Sequence, residues 1–346
     1  MRVKLKDVAV EFKEKSSDKS ISIGLEHLES NKITIDKYDT NGNNTFTKVF
    51  KRGQILFGRR RAYLHKAAVA PFDGICSGDI IVIEAIKNKI FPDFLPFIIQ
   101  NEEFFNYAVE KSAGSLSPRV KWEHLKEYEF ELPDFEEQKR LANILWKIED
   151  VKNSINKTQK CLQNFFSYLS NNLFSTSSNM LELNKVVNFE KKSSYPASFG
   201  QENGLYKFYT SGSNITYCNE YIVDGKSIIV NDGGCALIRY NEGKMAYSDH
   251  TICLTEKNDK IKLEYIYYFL KSKEKFININ LFKGSGLKNI DKKAFKLLKI
   301  PIIEQSEQDK IIKKLKTLDK LKKIMNNQYN YLTYVIKNIL KKALNV

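Results

Sequence analysis

Long apolar runs are absent from this 346-residue sequence. No run approaches the roughly 20 apolar residues that a membrane-spanning helix needs, and residues 1–7 lack the apolar stretch of a signal peptide. These absences predict a cytoplasmic protein without a membrane partner. The length allows two ordinary domains, each with its own buried core.

Cysteine is also scarce. The chain has five cysteines, an odd number, and no two of them form a C-x-x-C pair. This pattern argues against both a disulfide framework and a zinc site. We expect buried free thiols at these positions, which are Cys76, Cys161, Cys218, Cys235 and Cys253.

Motifs for catalysis are missing as well. Gly225-Lys226-Ser227 resembles the end of a P-loop, but Glu220 occupies the position where that motif needs a glycine. The four histidines are scattered without the spacing of metal ligands. Neither an Asn-Pro-Pro-aromatic tetrapeptide nor a glycine-rich turn for S-adenosylmethionine occurs. Acidic residues around Glu137 resemble a nuclease cluster, but a helix start explains them better. The sequence therefore predicts a binding protein with no catalytic residues and no metal site of its own.

Positive charge is what the sequence has in excess. The formal net charge is +15, and most of it lies in the second half. Residues 179–303 carry 19 Lys and Arg against 13 Asp and Glu, and residues 304–346 carry 10 against 4. A basic chain attracts polyanions such as nucleic acid.

The second half of the sequence repeats the first at an offset of 170 residues. Ala113-Gly114-Ser115 falls on Lys283-Gly284-Ser285, and Glu137-Gln138 falls on Glu307-Gln308. Residues 77–83 answer residues 248–254 after a one-residue slip, and both read as strands. The stretches 10–50 and 185–224 share little. The repeat predicts two related globular units with divergent parts.

Each copy ends in a heptad pattern that predicts one helix of about 40 residues, roughly 60 Å long. Asp134 and Glu137 have the form of a capping box for the first helix, and Ser306 with Asp309 is the better start for the second, although Glu304 stands where Asp134 does. The stripe would be widened by the intermediate apolar positions Leu145, Val151, Phe165, Phe166, Leu315, Leu321, Val335 and Ile336. The predicted helix–helix interface consists of Leu141, Ile148, Ile155, Leu162, Leu169, Ile311, Leu318, Met325, Leu332 and Ile339. The predicted segments are 1–133, 134–178, 179–303 and 304–346.

Three groups of loop residues are candidates for contacting DNA, since arginine, hydroxyl and amide groups bind phosphates and base edges. A solvated basic loop or an ordinary glycine turn is the alternative for each. The first group follows a strand-like segment and consists of Arg59, Arg60, Arg61 and Lys66. The second lies in the repeated glycine–serine stretch and consists of Ser115, Ser117, Arg119, Lys283, Ser285 and Lys288. The third lies in loops of the second copy and consists of Thr210, Ser211, Ser213, Asn231 and Arg239.

These features together resemble the specificity subunits of type I restriction–modification systems. The resemblance is carried by residues 21–30 (Ile-Ser-Ile-Gly-Leu-Glu-His-Leu-Glu-Ser), by Gly53-Gln54-Ile55-Leu56-Phe57, by the glycine–serine stretch and by the entry into each heptad helix at Glu-Gln. It implies a mixed α/β (α+β) fold in which two globular target-recognition domains are joined by two long antiparallel coiled-coil helices, with a pseudo-twofold internal repeat.

The resemblance also implies partners. Each domain would read one half of a split double-stranded DNA target, and two modification subunits would dock on the helices and bring S-adenosylmethionine and adenine methylation. A restriction subunit would add ATP-driven translocation and cleavage with ATP and Mg²⁺. This chain itself would bind no cofactor. A specificity partner of a related type II enzyme that cuts on both sides of its site, a coiled-coil assembly adaptor that does not bind DNA, and a nuclease with a concealed site remain open.

Overall fold

The computed structural model describes residues 1–16, 20–40, 42–175 and 179–345. The chain forms two compact units: residues 1–155 with 327–346 make unit 1, and residues 156–326 make unit 2. Each long helix therefore contributes one part to each unit, whereas the predicted division gave each helix a segment of its own. The predicted boundary at residue 178 lies outside the described residues. No helix in the described ranges is long and apolar enough to cross a membrane.

Unit 1 alternates short strands with short helices. Its strands are β1 (Arg2–Lys4), β2 (Ala9–Glu11), β3 (Ser22–Ile23), β4 (Lys48–Phe50), β5 (Ile55–Gly58), β6 (Ala67–Val69), β7 (Gly74–Cys76), β8 (Ile80–Ala85) and β9 (Glu129–Glu131). Its short helices are α1 (Leu5–Val8), α2 (Leu95–Ile99), α3 (Glu102–Glu110) and α4 (Trp122–Leu125), and a 3-10 turn spans Ala62–Leu64. The long helix α5 (Phe135–Phe174) follows.

Unit 2 also alternates short strands with short helices. Its strands are β10 (Met180–Glu182), β11 (Val187–Phe189), β12 (Tyr206–Tyr209), β13 (Thr216–Cys218), β14 (Ser227–Asn231), β15 (Ile238–Asn241), β16 (Met245–Tyr247), β17 (Thr251–Glu256), β18 (Phe282–Lys283), β19 (Asn289–Ile290) and β20 (Lys299–Pro301). Its short helices are α6 (Leu183–Val186), α7 (Leu263–Ser272), α8 (Glu274–Asn280) and α9 (Lys292–Lys296). A 3-10 turn spans Ala197–Phe199, and the long helix α10 (Gln305–Leu344) ends the chain.

Both units are built on a four-stranded antiparallel sheet with one strand order. The order is β2-β8-β5-β6 in unit 1 and β11-β17-β14-β15 in unit 2. Central strands β5 and β14 are buried along their whole length, as expected of short apolar runs that are covered on both faces. The shared order confirms the predicted internal repeat.

The three-stranded sheets differ between the units. Unit 1 has the order β3-β7-β4 with β3 parallel to β7, and unit 2 has the order β13-β12-β16 with β12 parallel to β16. Much of these sheets lies in the stretches 10–50 and 185–224, which share little sequence. The part of each unit that diverges in sequence therefore also diverges in strand arrangement.

Aromatic contacts hold the helices in the core of each unit. In unit 1 the ring of Phe57 on β5 stacks on Phe105 of α3 with centroids 5.5 Å apart. In unit 2 the last residue of α5, Phe174, contacts Tyr265 and Phe269 of α7 at 5.4 and 5.3 Å. Burying a side chain of this kind contributes roughly 2–3 kcal/mol.

The two long helices begin in the same way. Asp134 caps α5, since its Oδ1 accepts the backbone N–H of Glu137 at 2.9 Å. Helix α10 begins at Gln305, directly after Glu304, whose carbonyl accepts the N–H of Gln308 at 3.0 Å. The predicted start at Ser306 was wrong, because that residue lies inside the first turn. The repeat, rather than the preference of serine for caps, located this boundary.

A buried glutamine anchors each helix start. In unit 1 the Gln138 side chain accepts the N–H of Phe91 at 2.8 Å and donates to the carbonyl of Pro133 at 2.8 Å. In unit 2 the Gln308 side chain accepts the N–H of Lys262 at 2.8 Å and donates to the carbonyls of Lys260 and Ile303. These bonds explain why the glutamine recurs in both copies.

Within each unit, the helix segments run antiparallel. In unit 1 the segment from Leu141 to Leu145 shares a core with Leu340 and Leu344, and Lys152 lies over the ring of Tyr329 at 5.2 Å. In unit 2 the Gln159 side chain donates to Asn326 at 2.7 Å, and Lys322 donates to Gln163 at 3.0 Å.

All ten predicted interface positions are buried or half-buried. Leu141 and Ile311 are buried, and Ile148, Ile155, Leu162, Leu169, Leu318, Met325, Leu332 and Ile339 are half-buried. The wider stripe was wrong at three positions, because Val151, Phe165 and Leu321 are exposed by 45% or more.

The cysteines are all free. Cys76, Cys218 and Cys253 are buried as expected, whereas Cys161 and Cys235 are exposed. Burial raises the pKa of the Cys76 and Cys253 thiols to about 12.

Candidate functional site

The loop that follows a central strand meets the glycine–serine turn in each unit. We call residues 59–66 and 232–237 the strand-end loops, and residues 113–119 and 283–289 the glycine–serine turns. In unit 1 the N–H of Arg61 donates to the carbonyl of Pro118 at 2.8 Å, and in unit 2 the N–H of Gly234 donates to that of Lys288 at 2.8 Å. Pro118 and Lys288 occupy equivalent positions of the two copies, so the junction follows the sequence repeat.

Two more backbone contacts recur at this junction. Arg60 forms an isolated antiparallel β-bridge with Arg119 in unit 1, and Gly233 forms one with Asn289 in unit 2. The carbonyl before each bridge, from Arg59 or Asp232, accepts an N–H from the strand-like stretch after the turn at 3.0 or 2.8 Å. Candidate groups that lie far apart in the sequence are therefore neighbours in space.

Each turn is closed at its base and has a glycine with positive φ inside. Ala113 and Arg119 exchange two backbone hydrogen bonds at 2.9 and 3.0 Å, and Lys283 pairs with Asn289. Gly114 has φ +111° and Gly284 has φ +139°, a conformation that disfavours side chains. A Cβ on Gly284 would lie 2.5 Å from the carbonyl oxygen of Leu287. Because that oxygen belongs to the backbone, a change of side-chain rotamer would not relieve the clash.

Arginine side chains gather around one carboxylate at the unit 1 junction. Arg119 Nε lies 2.8 Å from Asp79 Oδ1, and the Arg60 guanidinium lies 3.5 Å from Oδ2. Arg60 Nε also donates to Ser117 Oγ at 2.6 Å, and Arg59 Nε donates to the carbonyl of Val120 at 3.1 Å. The arginines predicted to bind DNA are thus brought together with Ser117.

This cluster favours the ionised form of the Asp79 carboxyl group. Burial alone would raise the pKa of its carboxyl, but the hydrogen bond from Arg119 and the charges of the neighbouring arginines outweigh burial and lower the pKa. The same hydrogen bond raises the pKa of Arg119. Since Arg61 is exposed and several guanidinium groups face one carboxylate, the junction keeps a net positive charge.

The strand-end loop of unit 1 has a strained backbone. Arg61 and His65 flank the 3-10 turn with φ +55° and +49°, values that are uncommon for residues with side chains and cluster at functional sites. The turn presents Tyr63, which is 52% exposed. Lys66 points elsewhere, because its ammonium donates to the carbonyl of Leu25 at 2.6 Å.

Four of the unit 2 candidates form a partly buried network. The guanidinium of Arg239 donates to Asn231 Oδ1 at 2.9 Å and to the carbonyls of Thr210 and Gly212. Asn231 is buried, and its amide donates to the carbonyl of Ser211 at 2.6 Å. Burial lowers the pKa of Arg239. Asn231 and Arg239 therefore hold the loop at 210–213 in shape, and a direct contact with DNA by either stays a prediction.

The other unit 2 candidates face solvent. Ser213, Ser285 and Lys288 are exposed, and Lys283 pairs with Asp291 at 2.8 Å. Lys292, which sequence reasoning missed, lies 2.7 Å from Asp232 in the strand-end loop.

Sequence reasoning also missed Asp79 and Tyr63. The sequence carried a partial signal for Asp79, since Ser77-Gly78-Asp79 belongs to the detected repeat. Tyr63 lies two residues after Arg61, and an aromatic residue in a basic loop is typical of nucleic-acid binding. The pairing of Lys292 with Asp232 has no local pattern that would predict it.

One group of possible metal ligands consists of Glu26, His27 and Asp39, whose ligand atoms lie within 4.8 Å of one another. His27 Nδ1 accepts the N–H of Gly24 at 2.9 Å, which leaves the proton on Nε2, 3.6 Å from Asp39. Nδ1 is used by a backbone hydrogen bond and Nε2 faces the Asp39 carboxylate, so this histidine is explained as a structural residue.

Comparison with solved structures shows the fold. The chain is similar to the S subunit of a type I restriction–modification system from M. genitalium, with a TM-score of 0.69, 16% identity, and coverage of 99% of this chain and 96% of that one. A chain from a study of complex assembly and conformational transition of the type I R-M system aligns with a TM-score of 0.56, 18% identity, and coverage of 99% and 97%.

Comparison with curated sequences points the same way. The chain is 24% identical over 328 residues to the putative specificity subunit of the type I restriction enzyme MjaX of Methanocaldococcus jannaschii, covering 83% of this chain and 76% of that protein. It is 28% identical over 126 residues to the EcoDI specificity subunit of Escherichia coli, covering 36% of this chain and 28% of that protein.

The model of the type I restriction modification DNA specificity domain matches twice, at residues 2–162 and 177–334. The two matches follow the internal repeat and cover most of the chain. The chain therefore belongs to the type I restriction–modification DNA specificity family and carries two copies of its domain.

Proposed function

We propose that this chain is the DNA-recognition subunit of a type I restriction–modification complex, with each unit reading one half of a two-part target. The observation that carries the proposal is the repeated junction, in which the same backbone contacts join a strand-end loop to a glycine–serine turn. One scaffold presents two different sets of side chains. Such a design suits a target whose halves differ in sequence.

The chemistry around both junctions fits duplex DNA. In unit 1, Arg60, Arg61 and Arg119 offer guanidinium groups that bind phosphates or guanine edges in pairs of hydrogen bonds. In unit 2, Lys288 offers an ammonium at the junction, and Ser213 offers a hydroxyl on a separate exposed loop. Contacts to phosphate fix the position of a protein on DNA, and contacts to base edges specify the sequence.

Catalysis would come from partner subunits. Two modification subunits would dock on the long helices, bind S-adenosylmethionine and methylate adenine, and a restriction subunit would supply ATP-driven cleavage with Mg²⁺. The apolar residues exposed on the long helices, among them Phe165 and Leu321, are suitable contacts for such partners. We expect the complex to work in the cytoplasm.

The test is a protection assay with the purified chain and its modification subunit. We expect the complex to methylate a bipartite sequence in a random DNA library and to protect it from digestion. Absence of methylation with every cognate modification subunit would contradict the proposal. An assembly adaptor would instead form the complex but leave DNA affinity unchanged when Arg60 and Arg119 become alanine.

A further inference from the structure

Each glycine–serine turn presents one leucine to solvent, Leu116 at the middle of its turn and Leu287 one residue after the middle. Leu116 is 92% exposed and Leu287 is 77% exposed. An exposed leucine by itself is ordinary on a protein surface. These two occupy matching turns of units whose other loops have diverged, and each is the single large apolar side chain within its turn.

The turns hold these leucines outward. The backbone pairing at 113–119 and 283–289 closes both turns, and positive φ at Gly114 and Gly284 bends the chain below the tip. Residues at turn tips are usually small or polar. A leucine kept there costs solvation in the free protein, which a contact in a complex would remove.

Cations and hydroxyls surround both side chains. Ser117, next to Leu116, binds the Arg60 guanidinium at 2.6 Å, and Arg119 closes the same turn. In unit 2, Lys288 is adjacent to Leu287, and Lys283 lies at the base of the turn. A polyanion with apolar surfaces inside its charged exterior matches this arrangement. Duplex DNA has that character, with phosphates outside and base faces and thymine methyl groups within the grooves.

We propose that Leu116 and Leu287 each make an apolar contact with the bases of one DNA half-site, while the flanking cations bind the phosphates. This inference rests on the proposed function. The apolar surface contacted is either a thymine 5-methyl group or the face of a base pair that the leucine partly unstacks.

The test measures binding of the complex, assembled with its modification subunits, to its target DNA. We expect Leu116→Ala and Leu287→Ala each to weaken specific binding about tenfold, with methionine at the same position restoring most of it and the salt dependence unchanged. Leu205→Ala is the matched control, because Leu205 is 76% exposed in unit 2 outside the turn.

Two DNA modifications distinguish the apolar surfaces. Replacing one thymidine by deoxyuridine removes the methyl group. If that methyl group is the partner of the leucine, the replacement would abolish the difference in DNA affinity between wild type and the leucine variant. A 2-aminopurine base would brighten on binding of wild type, but not of the variant, if the leucine unstacks a base pair.

The inference is overturned if both leucine variants bind target DNA within twofold of wild type while Arg119→Ala weakens binding. The proposed function would survive that result. If the wild-type complex binds no DNA, the proposed function and the inference both fail.

Discussion

The two junctions share a backbone and differ in charge. In unit 1, Asp79 ties Arg60 to Arg119, and in unit 2 the matching positions hold His250, Gly233 and Asn289. Unit 2 instead has one half-buried arginine, Arg239, whose guanidinium hydrogen-bonds the loop that it supports. The difference indicates that hydrogen bonds between backbone groups preserve the junction, leaving its side chains free to change.

The helix segments show the same contrast. Glu149 and Lys152 form a 2.7 Å ion pair in unit 1, with side chains 13% and 7% exposed. At the equivalent positions of the second copy, Asp319 hydrogen-bonds Tyr268, and Lys322 donates to Gln163. One acid–lysine pattern has therefore produced a buried pair in one unit and two separate contacts in the other.

The largest expected effect is on the buried ion pair. Lys152→Ala would leave the Glu149 carboxylate without its partner and lower the free energy of unfolding by about 3 kcal/mol. Lys322→Ala, at the matching exposed position, would cost less than about 1 kcal/mol. Urea denaturation followed by circular dichroism measures both. Equal losses would show that the two positions are equivalent after all.

The two turn glycines should differ next. Gly284→Ala places a Cβ 2.5 Å from the Leu287 carbonyl oxygen, whereas at Gly114 the nearest atom is 3.5 Å away and positive φ is the main obstacle. We expect losses in the free energy of unfolding of about 2 kcal/mol for Gly284→Ala and about 1 kcal/mol for Gly114→Ala. Gly286→Ala, which meets nothing within 4 Å, is the control. A larger loss at Gly114 than at Gly284 would contradict this ranking.

Arg119 at the unit 1 junction should contribute more to DNA affinity than Asn289, which occupies the equivalent position in unit 2. We expect Arg119→Ala to weaken binding by about 1.5 kcal/mol and, if it contacts a phosphate, to reduce the salt slope by about one. Asn289→Ala should change affinity by less than about 0.5 kcal/mol. Fluorescence anisotropy of the assembled complex at several salt concentrations gives both values. Arg2→Ala, another exposed arginine of unit 1 that pairs with Glu129, controls for loss of charge.

The smallest effect concerns Asp319. Burial raises the pKa of its carboxyl despite the hydrogen bond from Tyr268. Because the folded state holds the proton more tightly, stability falls as pH rises from the ordinary aspartate value through the raised pKa, and the loss persists at pH 7. Asp319→Asn should remove this dependence and add less than about 1 kcal/mol at pH 7, since part of the carboxylate remains in water.

The matching substitution in unit 1 should have the opposite sign. Glu149→Gln would leave Lys152 buried without its counter-charge and lower the free energy of unfolding at pH 7. Thermal unfolding of both variants between pH 4 and 8 tests the contrast. Stabilisation by both substitutions would contradict it.

The sequence predicted the repeat, the two long helices and the glycine–serine turns, because each has a local periodic or turn signal. The second helix start was wrong, since the preference of serine for caps is weaker than the anchoring by Gln308. No local pattern showed that Arg60 meets Ser117, which lies far along the chain. Nor did any local pattern show that the half-buried Arg239 hydrogen-bonds the buried Asn231, because polar residues in loops are normally exposed.

The central claim is that each unit reads one half of a split target. The most direct measurement is the set of sequences methylated by the complex, determined by sequencing a methylated random library with wild type, with Arg60→Ala plus Arg119→Ala, and with Ser213→Ala plus Lys288→Ala. We predict a bipartite motif in which the first pair relaxes one half and the second pair relaxes the other. A continuous motif, or relaxation of the same bases by both pairs, would contradict the account.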